Sequence, residues 1–201
     1  SISVSNSLAQ QPSVGRTLAI SGANPIWSGY HGQIDKMNHV SQTIAPLEFT
    51  LGIPRWGAAA GSSANKAFVA GGVVPQDISL TSSVIVTTNS VEAILWDTES
   101  RVSFAATLGV LARFHLAGTQ STAKAYFAAG VLGPLPSPMD TTFSGSIQTL
   151  TFSSEAISTL GSLLPTIAGI GSACNSATKA FIVGSINRNI NSITFSNESL
   201  T

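Results

Sequence analysis

The chain has 201 residues, 43% of them hydrophobic, and only 9% are Asp, Glu, Lys or Arg, with nine basic residues balancing nine acidic ones. Phosphate binding requires clustered Lys and Arg, so this charge balance argues against nucleic acids and anionic membranes as partners. The single cysteine, Cys174, excludes an intramolecular disulfide, and no apolar run approaches the roughly 20 residues of a membrane helix, so no membrane insertion is expected.

The N-terminus predicts a strand and no secretion signal. No basic region followed by an apolar region opens the chain, which argues against a signal peptide. Ser1–Leu8 precedes Arg16 much as Thr159–Leu164 precedes Ile167. We therefore interpret the first residues as a strand that belongs with the last repeat.

Three short elements recur in the same order along the chain, which is the signature of a repeat architecture. The first is a Gly-containing run of small residues, which follows Arg16, Arg55 and Arg113 and recurs without an arginine at Ile167–Gly171. The second is Lys-Ala-aromatic, found in Lys66–Gly71, Lys124–Gly130 and Lys179–Gly184, with a weaker copy at Pro25–Gly29. The third alternates with period 2, as half-buried strands do, in Leu47–Phe49, Ile94–Trp96, Leu150–Phe152 and Ile193–Phe195.

The repeat length predicts the fold. About 40–50 residues with four strands is the size of a propeller blade, and the abundance of Gly, Ser, Thr and β-branched residues disfavours helices. The sequence predicts an all-β, closed four-bladed β-propeller in one domain, residues 1–201, with repeat starts at residues 16, 55, 113 and 167. The last copy ends soon after Phe195, so residues 1–15 are expected to close the ring by completing the last blade.

The first repeat departs from this pattern. Too few residues separate Phe49 from Arg55 for a fourth strand, so a three-stranded first blade and a shifted alignment both remain open. The insertions Val73–Asn89 and Leu132–Phe143 predict long loops or extra hairpins. Loops of this length in a compact domain are usually functional or mobile.

The repeats resemble those of a known family. A Gly-Ser-rich turn, Lys-Ala-aromatic with a Gly soon after, and the run Leu150–Glu155 are similar to the kelch-like repeats of phage virion proteins, notably tail-fibre and particle-surface proteins of cyanobacterial phages. The resemblance covers about residues 54 to 201 and is poor in the first repeat. It implies a propeller with a structural or host-surface-binding role in the virion, with other virion proteins as partners, and it supplies no binding residues.

One cluster is a candidate ligand site. Carbohydrates are recognised by exposed aromatic faces beside Asn, Asp, Gln or His side chains. The irregular first repeat carries such a set at Asn24, Trp27, Tyr30, His31 and Asp35. We predict that these residues bind a ligand. The alternative is that Trp27 fills the core position that an aromatic residue takes in the other Lys-Ala-aromatic elements.

No catalytic residue is predicted, and an enzyme is not expected. No nucleophile motif accompanies the three histidines, His31, His39 and His115. His31, Asp35 and His39 share the spacing of one helix face, but a solvated loop is favoured, so no metal and no cofactor are expected. Cys174 is expected to pack as a small buried residue.

Several charged and aromatic residues recur at one position and indicate architecture. Arg16, Arg55 and Arg113 form one such set, and Glu99, Glu155 and Glu198 form another. We expect them to satisfy turn carbonyls or amides between blades. Trp96 stands where Phe152 and Phe195 stand in the other repeats and is expected in the core, whereas Trp56 is ambiguous.

Two functions remain open at this point. The leading one is a phage virion structural protein on the particle surface or tail, acting as a scaffold or as a module that binds a host-surface glycan. Homo-oligomerisation fits this role, because virion parts are symmetric. The alternative is a free four-bladed lectin, which would repeat one set of aromatic and polar residues in every blade; Trp27, Tyr30 and His31 are not repeated as a set.

Overall fold

The structure is a computed structural model that describes residues 7–11, 16–20, 32–74, 86–102, 104–109, 112–132, 143–161, 164, 171–184 and 190–201. All regular secondary structure within these residues is β-strand. This confirms the predicted all-β class. It follows from short segments of β-branched and aromatic residues that are separated by Gly, Ser and Asn turns.

Twenty strands lie in the described residues. In chain order they are β1 Ser7–Gln11, β2 Arg16–Ile20, β3 Gln33–Asn38, β4 Thr43–Thr50, β5 Ala59–Ser62, β6 Lys66–Ala70, β7 Val73–Val74, β8 Val86–Thr87, β9 Val91–Leu95, β10 Arg101–Val102, β11 Arg113–Phe114, β12 Ala117–Gln120, β13 Lys124–Ala128, β14 Val131–Leu132, β15 Ile147–Thr151, β16 Ala156–Thr159, β17 Gly171–Asn175, β18 Lys179–Gly184, β19 Ile190–Thr194 and β20 Ser199–Leu200.

Most of these strands form four antiparallel sheets of four strands each. The first sheet has the order β1-β2-β3-β4, the second β5-β6-β9-β10, the third β12-β13-β15-β16 and the fourth β17-β18-β19-β20. Two short ladders, β7-β8 and β11-β14, lie in the connections. The β7-β8 pair confirms an extra hairpin at the base of the first long insertion.

Consecutive sheets pack face to face. We call the side of each sheet that contacts the next sheet along the chain its forward face, and the opposite side its backward face. In β6, Phe68 and Ala70 point forward and share a buried cluster with Phe127 and Leu150 of the third sheet. The alternate residue Val69 points backward into the cluster shared with the first sheet, as the two-residue period of a strand requires.

The third and fourth sheets repeat this arrangement one step further along. Tyr126 and Ala128 of β13 point forward and pack with Ile182 and Ile193 of the fourth sheet. A sheet that has a neighbour on each side is therefore apolar on both faces. This accounts for the continuous apolar runs that follow Lys66 and Lys124.

The first strands of the four sheets lie side by side in the order β1, β5, β12 and β17. They approach closely because their residues are small. A Cβ atom at Gly118 of β12 would lie 2.2 Å from the carbonyl oxygen of Ala60 in β5, so only glycine allows this separation. This explains why the small-residue run recurs in the second, third and fourth repeats; the run after Arg16 lies on the second strand β2 instead.

The N-terminal strand belongs to the first sheet, so the prediction that it completes the last blade is wrong. β1 pairs with β2, from Ser7 opposite Ile20 to Gln11 opposite Arg16. The fourth sheet forms its own last strand, because a tight turn at 195–198 returns the chain at once and β20 pairs with β19. The residues after Phe195 are few, but a two-residue strand needs no more.

The first repeat also begins before its predicted start at residue 16. Arg16 opens the second strand of its sheet and lies opposite Asn38, just as Lys66 opens the second strand of the next sheet opposite Leu95. Arg16 therefore occupies the lysine position of its repeat and not the position of Arg55. The first sheet consequently has four strands and not three.

The same shift moves two other elements of the first repeat. Leu47–Phe49 lies on the fourth strand β4, whereas the matching elements of the other repeats end third strands. Leu18 holds the position of Phe68, since both lie two residues after the basic residue that opens the second strand. Pro25–Gly29, the predicted weaker copy of the Lys-Ala-aromatic element, lies outside the described residues.

Closure into a four-bladed ring would require the forward face of the fourth sheet to pack on the backward face of the first. Interfaces of this kind join the first sheet to the second, the second to the third and the third to the fourth. Among the described strands, no comparable interface joins the fourth sheet to the first. Closure with four sheets stays a prediction.

Candidate functional site

An open cleft of about 540 Å³ lies across three sheets. Its walls are the turns between the first and second strands of the second, third and fourth sheets, residues 62–64, 120–122 and 175–177, together with the ring of Phe152. The three turns come together because consecutive sheets stack with their equivalent turns on one side. The cleft therefore follows from the repeat itself.

Each of these turns is held by a serine. The hydroxyl oxygen of Ser63, Ser121 or Ser176 accepts a hydrogen bond from the backbone N–H of the lysine three residues later, at 3.0 to 3.1 Å. The same serine donates its own backbone N–H to the carbonyl oxygen of that lysine at 2.8 Å in all three turns. These serines shape the turn, because their acceptor sites are already used.

Two polar side chains of the cleft are open to a ligand. Within the described part of the chain, the side chains of Gln120 and Thr122 make no hydrogen bond to protein. Asn175 is engaged, since its Oδ1 accepts from Thr119 at 3.3 Å and its Nδ2 donates to the carbonyl oxygen of Ser176 at 3.3 Å. Gln120 carries both a donor and an acceptor, and Phe152 adds an apolar surface.

Ion pairs between adjacent sheets border the cleft. Lys66 pairs with Glu155 of the next sheet, and Lys124 pairs with Glu198 at 2.7 Å. The hydroxyl of Tyr126 donates to Glu198 at 3.3 Å; burial, reinforced by this carboxylate, raises the pKa of Tyr126 to about 12. Both of these lysines have their charge balanced by a carboxylate, whereas Lys179, at the end of the third turn, pairs with no carboxylate among the described residues.

The cleft is not among the sites predicted from the sequence, although the sequence carries a signal for it. Ser-x-x-Lys or Ser-x-x-Arg stands directly before the second strand in every repeat, at Ser13, Ser63, Ser121 and Ser176, and it occurs once more at Ser185. The motif ends at the basic residue that opens the second strand. The repeated polar turns, and not the repeated apolar elements, therefore mark the cleft in the sequence.

The predicted ligand residues are only partly placed. Asn24, Trp27, Tyr30 and His31 lie outside the described residues. Asp35 is half-buried on β3, which corrects the expectation of a solvated loop there, because the segment pairs with both β2 and β4. The cluster therefore stays a prediction.

The recurring arginines are internal supports. Arg55 and Arg113 are both 0% exposed, and each precedes the first strand of its sheet. Arg55 donates to the carbonyl oxygens of Gly71 and Ser90, both at 3.1 Å, and to the carboxylate of Glu92. Arg55 therefore satisfies backbone carbonyls, as predicted, but they belong to its own repeat and not to a neighbouring one, and Arg16 does not share this position. Burial lowers the pKa of Arg55, while Glu92 opposes that shift.

Arg113 repeats the arrangement without the carboxylate. It donates to the carbonyl oxygens of Ala129 at 2.7 Å and Ser146 at 2.8 Å, and to the side-chain oxygen of Gln148. Its Nε has no hydrogen-bond partner among the described residues. Because the guanidinium is buried with only neutral acceptors, its pKa falls to about 10.

The prediction of burial is confirmed for Trp96 and wrong for Cys174. Trp96 is buried, as predicted, and its Nε1 donates to the carbonyl oxygen of Ser63 at 3.2 Å. Trp56 packs edge-on against Phe114 and His115 near the ladder β11-β14. Cys174 is exposed, so the prediction that it is buried is wrong: it lies on the forward face of the fourth sheet, which has no described sheet over it.

No group of three or more His, Cys, Asp or Glu side chains is placed to hold a metal ion in the described ranges. Nor does any helix there have the length and apolarity to span a membrane. The chemistry available in the described cleft is thus that of hydroxyl, amide and aromatic groups.

Comparison with known proteins supports the fold alone. No protein-family profile and no curated protein sequence matches the chain. Among solved structures, the chain is similar to YjhT, a β-propeller-type protein, with a TM-score of 0.75 and 13% identity. The match covers 100% of this chain and 64% of YjhT. The four stacked sheets are therefore those of a β-propeller-type fold.

Proposed function

We propose that the chain is a non-catalytic binding module whose cleft between the strand turns of the second, third and fourth sheets takes a neutral polar ligand, with carbohydrate as the ligand class. The observation that carries the proposal is the free amide of Gln120 beside the ring of Phe152 in a cleft of about 540 Å³. Sugars offer hydroxyls to an amide and C–H faces to an aromatic ring.

The charges of the described chain support binding over catalysis. Glu155 and Glu198 each pair with a lysine of the preceding sheet, and Glu92 pairs with buried Arg55. A general acid or base needs a titratable group that faces the substrate. In the described cleft the lining residues are neutral, which suits a neutral ligand.

The setting that we propose for this module is the surface or tail of a phage virion, as a scaffold or as the part that binds a host-surface glycan. Its support is the kelch-like repeat resemblance and the low content of charged residues, 9%. A free lectin is the alternative. A multivalent lectin would require the same binding residues in each sheet. The turn motif Ser-x-x-Lys does repeat along one side of three sheets, but the cleft contains the pair of Gln120 and Phe152 only once, which favours a single site.

The test is a glycan array with the intact chain and three variants. We expect binding by the wild type and a loss on the order of tenfold in Gln120→Ala, the effect of removing one or two hydrogen bonds. Ser196→Ala, which changes an exposed turn residue outside the cleft, should bind as the wild type does. Equal binding by Gln120→Ala and the wild type would remove the cleft as the site.

Trp27→Ala separates the two candidate sites. If it abolishes binding while Gln120→Ala does not, the site is the cluster of Asn24, Trp27, Tyr30, His31 and Asp35 in the first repeat. If no variant and no wild-type protein binds any glycan, the carbohydrate proposal fails and the scaffold role becomes the better account.

A further inference from the structure

The forward face of the fourth sheet is uncovered in the described part of the chain. Val183 and Ile190 lie opposite each other on β18 and β19 and are 42% and 66% exposed. Phe181 and Cys174 form a second opposed pair on the same face; Phe181 is half-buried and Cys174 is exposed. Two adjacent strands thus present apolar side chains to solvent.

The equivalent face of the second sheet is covered by an element that every later sheet carries. Phe68 stacks on Phe152 with ring centroids 5.8 Å apart, and Lys66 pairs with Glu155. Phe152 and Glu155 are the first and fourth residues of the turn between the third and fourth strands of the third sheet. The forward face therefore binds an aromatic-x-x-Glu turn.

The third sheet binds the fourth in the same way. Tyr126 stacks on Phe195 with ring centroids 5.4 Å apart, and Lys124 pairs with Glu198 at 2.7 Å. In both turns the glutamate adopts the left-handed conformation, with φ of 52° for Glu155 and 54° for Glu198. The interaction is a repeated structural unit and not a single contact.

The fourth sheet has the two residues that bind such a turn, but no turn from the described part of the chain is bound to them. Lys179 lies opposite Thr194 as Lys124 lies opposite Thr151, and Phe181 follows it in the position of Tyr126. No carboxylate pairs with Lys179 among the described residues. In the first sheet, the turn between the third and fourth strands has His39 in place of the aromatic residue and Gln42 in place of the glutamate, so it supplies no carboxylate.

We propose that the forward face of the fourth sheet docks a further repeat of the same kind, a four-stranded sheet that carries an aromatic-x-x-Glu turn. This repeat extends the series of sheets into the gap before the first sheet. Two observations identify it: the unpaired Lys179 beside Phe181 requires an aromatic residue and a carboxylate at a fixed spacing, and the four sheets account for 64% of YjhT. A third of that related fold has no counterpart in these sheets.

The first experiment measures whether the face is open in the 201-residue chain. In a Cys174→Ser background, Val183→Cys places a thiol on the forward face and Ile182→Cys places one on the backward face of the same strand. We expect Val183→Cys to react with a thiol reagent on the order of a hundredfold faster, because labelling of a buried thiol requires local opening. Circular dichroism of both variants checks that they fold.

The second experiment supplies the proposed occupant. A second copy of residues 103–161, which hold the connection and strands of the third sheet, is appended after Thr201. We expect the labelling of Val183→Cys to slow at least on the order of tenfold. Glu155→Lys in the appended copy should abolish this protection, and Lys179→Glu should restore it, because the charge pair is then reversed.

Three outcomes would overturn the proposal. If Val183→Cys is as unreactive as Ile182→Cys in the monomeric chain, the first sheet covers the face and the ring closes with four sheets. If its labelling slows with rising protein concentration as the mass doubles, a second copy is the occupant. If Val183→Cys stays reactive when the repeat is appended, the fourth sheet does not dock such a repeat. An appended repeat that stays unfolded contradicts the proposal as well, because a repeat folds only when a neighbouring sheet buries its apolar face.

Discussion

At the scale of single residues, the two buried arginines Arg55 and Arg113 occupy equivalent positions with different side-chain partners, one charged and one neutral. Arg55 has a carboxylate partner in Glu92, whereas Arg113 has the neutral Gln148 at the same place. Glu92 also accepts from the backbone N–H of Gly52 at 2.7 Å, so its charge is well solvated by the protein. A buried ion is stable only when its partners are complete.

We predict that Glu92→Gln lowers the free energy of unfolding by about 1–3 kcal/mol, because buried Arg55 would lose its counter-charge. Glu99→Gln is the control: its pair with Lys36 is partly exposed, and screening should limit its effect to less than about 1 kcal/mol. Urea denaturation of both variants measures the difference. Equal effects would contradict the role assigned to the Arg55–Glu92 pair.

His115 should make stability depend on pH. Burial lowers the pKa of His115 in the folded chain below its ordinary value of 6.5. The unfolded chain then takes up the proton first, so the contribution to stability is complete above about pH 6.5 and is lost as the pH falls through the folded pKa. The fold should be less stable at about pH 5.5 than at about pH 7.5.

His115→Asn tests this assignment. Asparagine tolerates the left-handed conformation that the residue adopts, with φ of 56°, and it does not titrate. Urea midpoints of the variant should differ less between the two pH values than those of the wild type. An unchanged difference would assign the pH dependence to other groups.

At the scale of elements, the turn between the third and fourth strands is the most regular feature of the molecule. Its fourth residue has a positive φ in every sheet, at Gln42, Glu99, Glu155 and Glu198, with values from 49° to 54°. Such a turn reverses the chain in four residues, which is why the fourth sheet could be completed so close to the end of the sequence.

We expect Glu155→Val to destabilise the protein by about 1–3 kcal/mol, because a β-branched residue is strained at positive φ. Ser153→Val changes an exposed residue of the same turn whose φ is not positive, and it should cost less than about 0.5 kcal/mol. Thermal unfolding of the two variants is the measurement. A cost for Ser153→Val as large as that for Glu155→Val would show that the turn is sensitive to hydrophobicity and not to its backbone.

At the scale of the whole molecule, the distance between sheets is set by the small residues of the first strands. Gly118 leaves no space for a Cβ atom against the backbone of Ala60, whereas nothing lies within 4 Å of a Cβ atom at Gly161. The same residue type is therefore tightly packed at position 118 and open to solvent space at position 161. They provide a direct test of how tightly the second and third sheets are packed.

Gly118→Ala should lower the free energy of unfolding by about 2 kcal/mol or more, because backbone atoms of two strands must move apart. Gly161→Ala should leave it within about 0.5 kcal/mol of the wild type. Chemical denaturation checks both. If Gly118→Ala is also neutral, the sheets are further apart than the structure places them.

The sequence by itself determined the fold class, the three recurring elements from Lys66 onward and the supporting role of Arg55 and Arg113, because these depend on local periodicity and on repetition along the chain. It failed in the first repeat, where Arg16 replaces the lysine and Leu18 replaces the aromatic residue, so the alignment shifted by one strand. Only the tertiary structure placed β1 in the first sheet.

The cleft and the uncovered face of the fourth sheet were also beyond the sequence. Gln120, Thr122 and Phe152 meet because turns from different sheets stack, and the exposure of Cys174 depends on which sheet lies over it. These are contacts between residues far apart in the chain. Their geometry follows from how the sheets pack against each other, and no local pattern of residues encodes that arrangement.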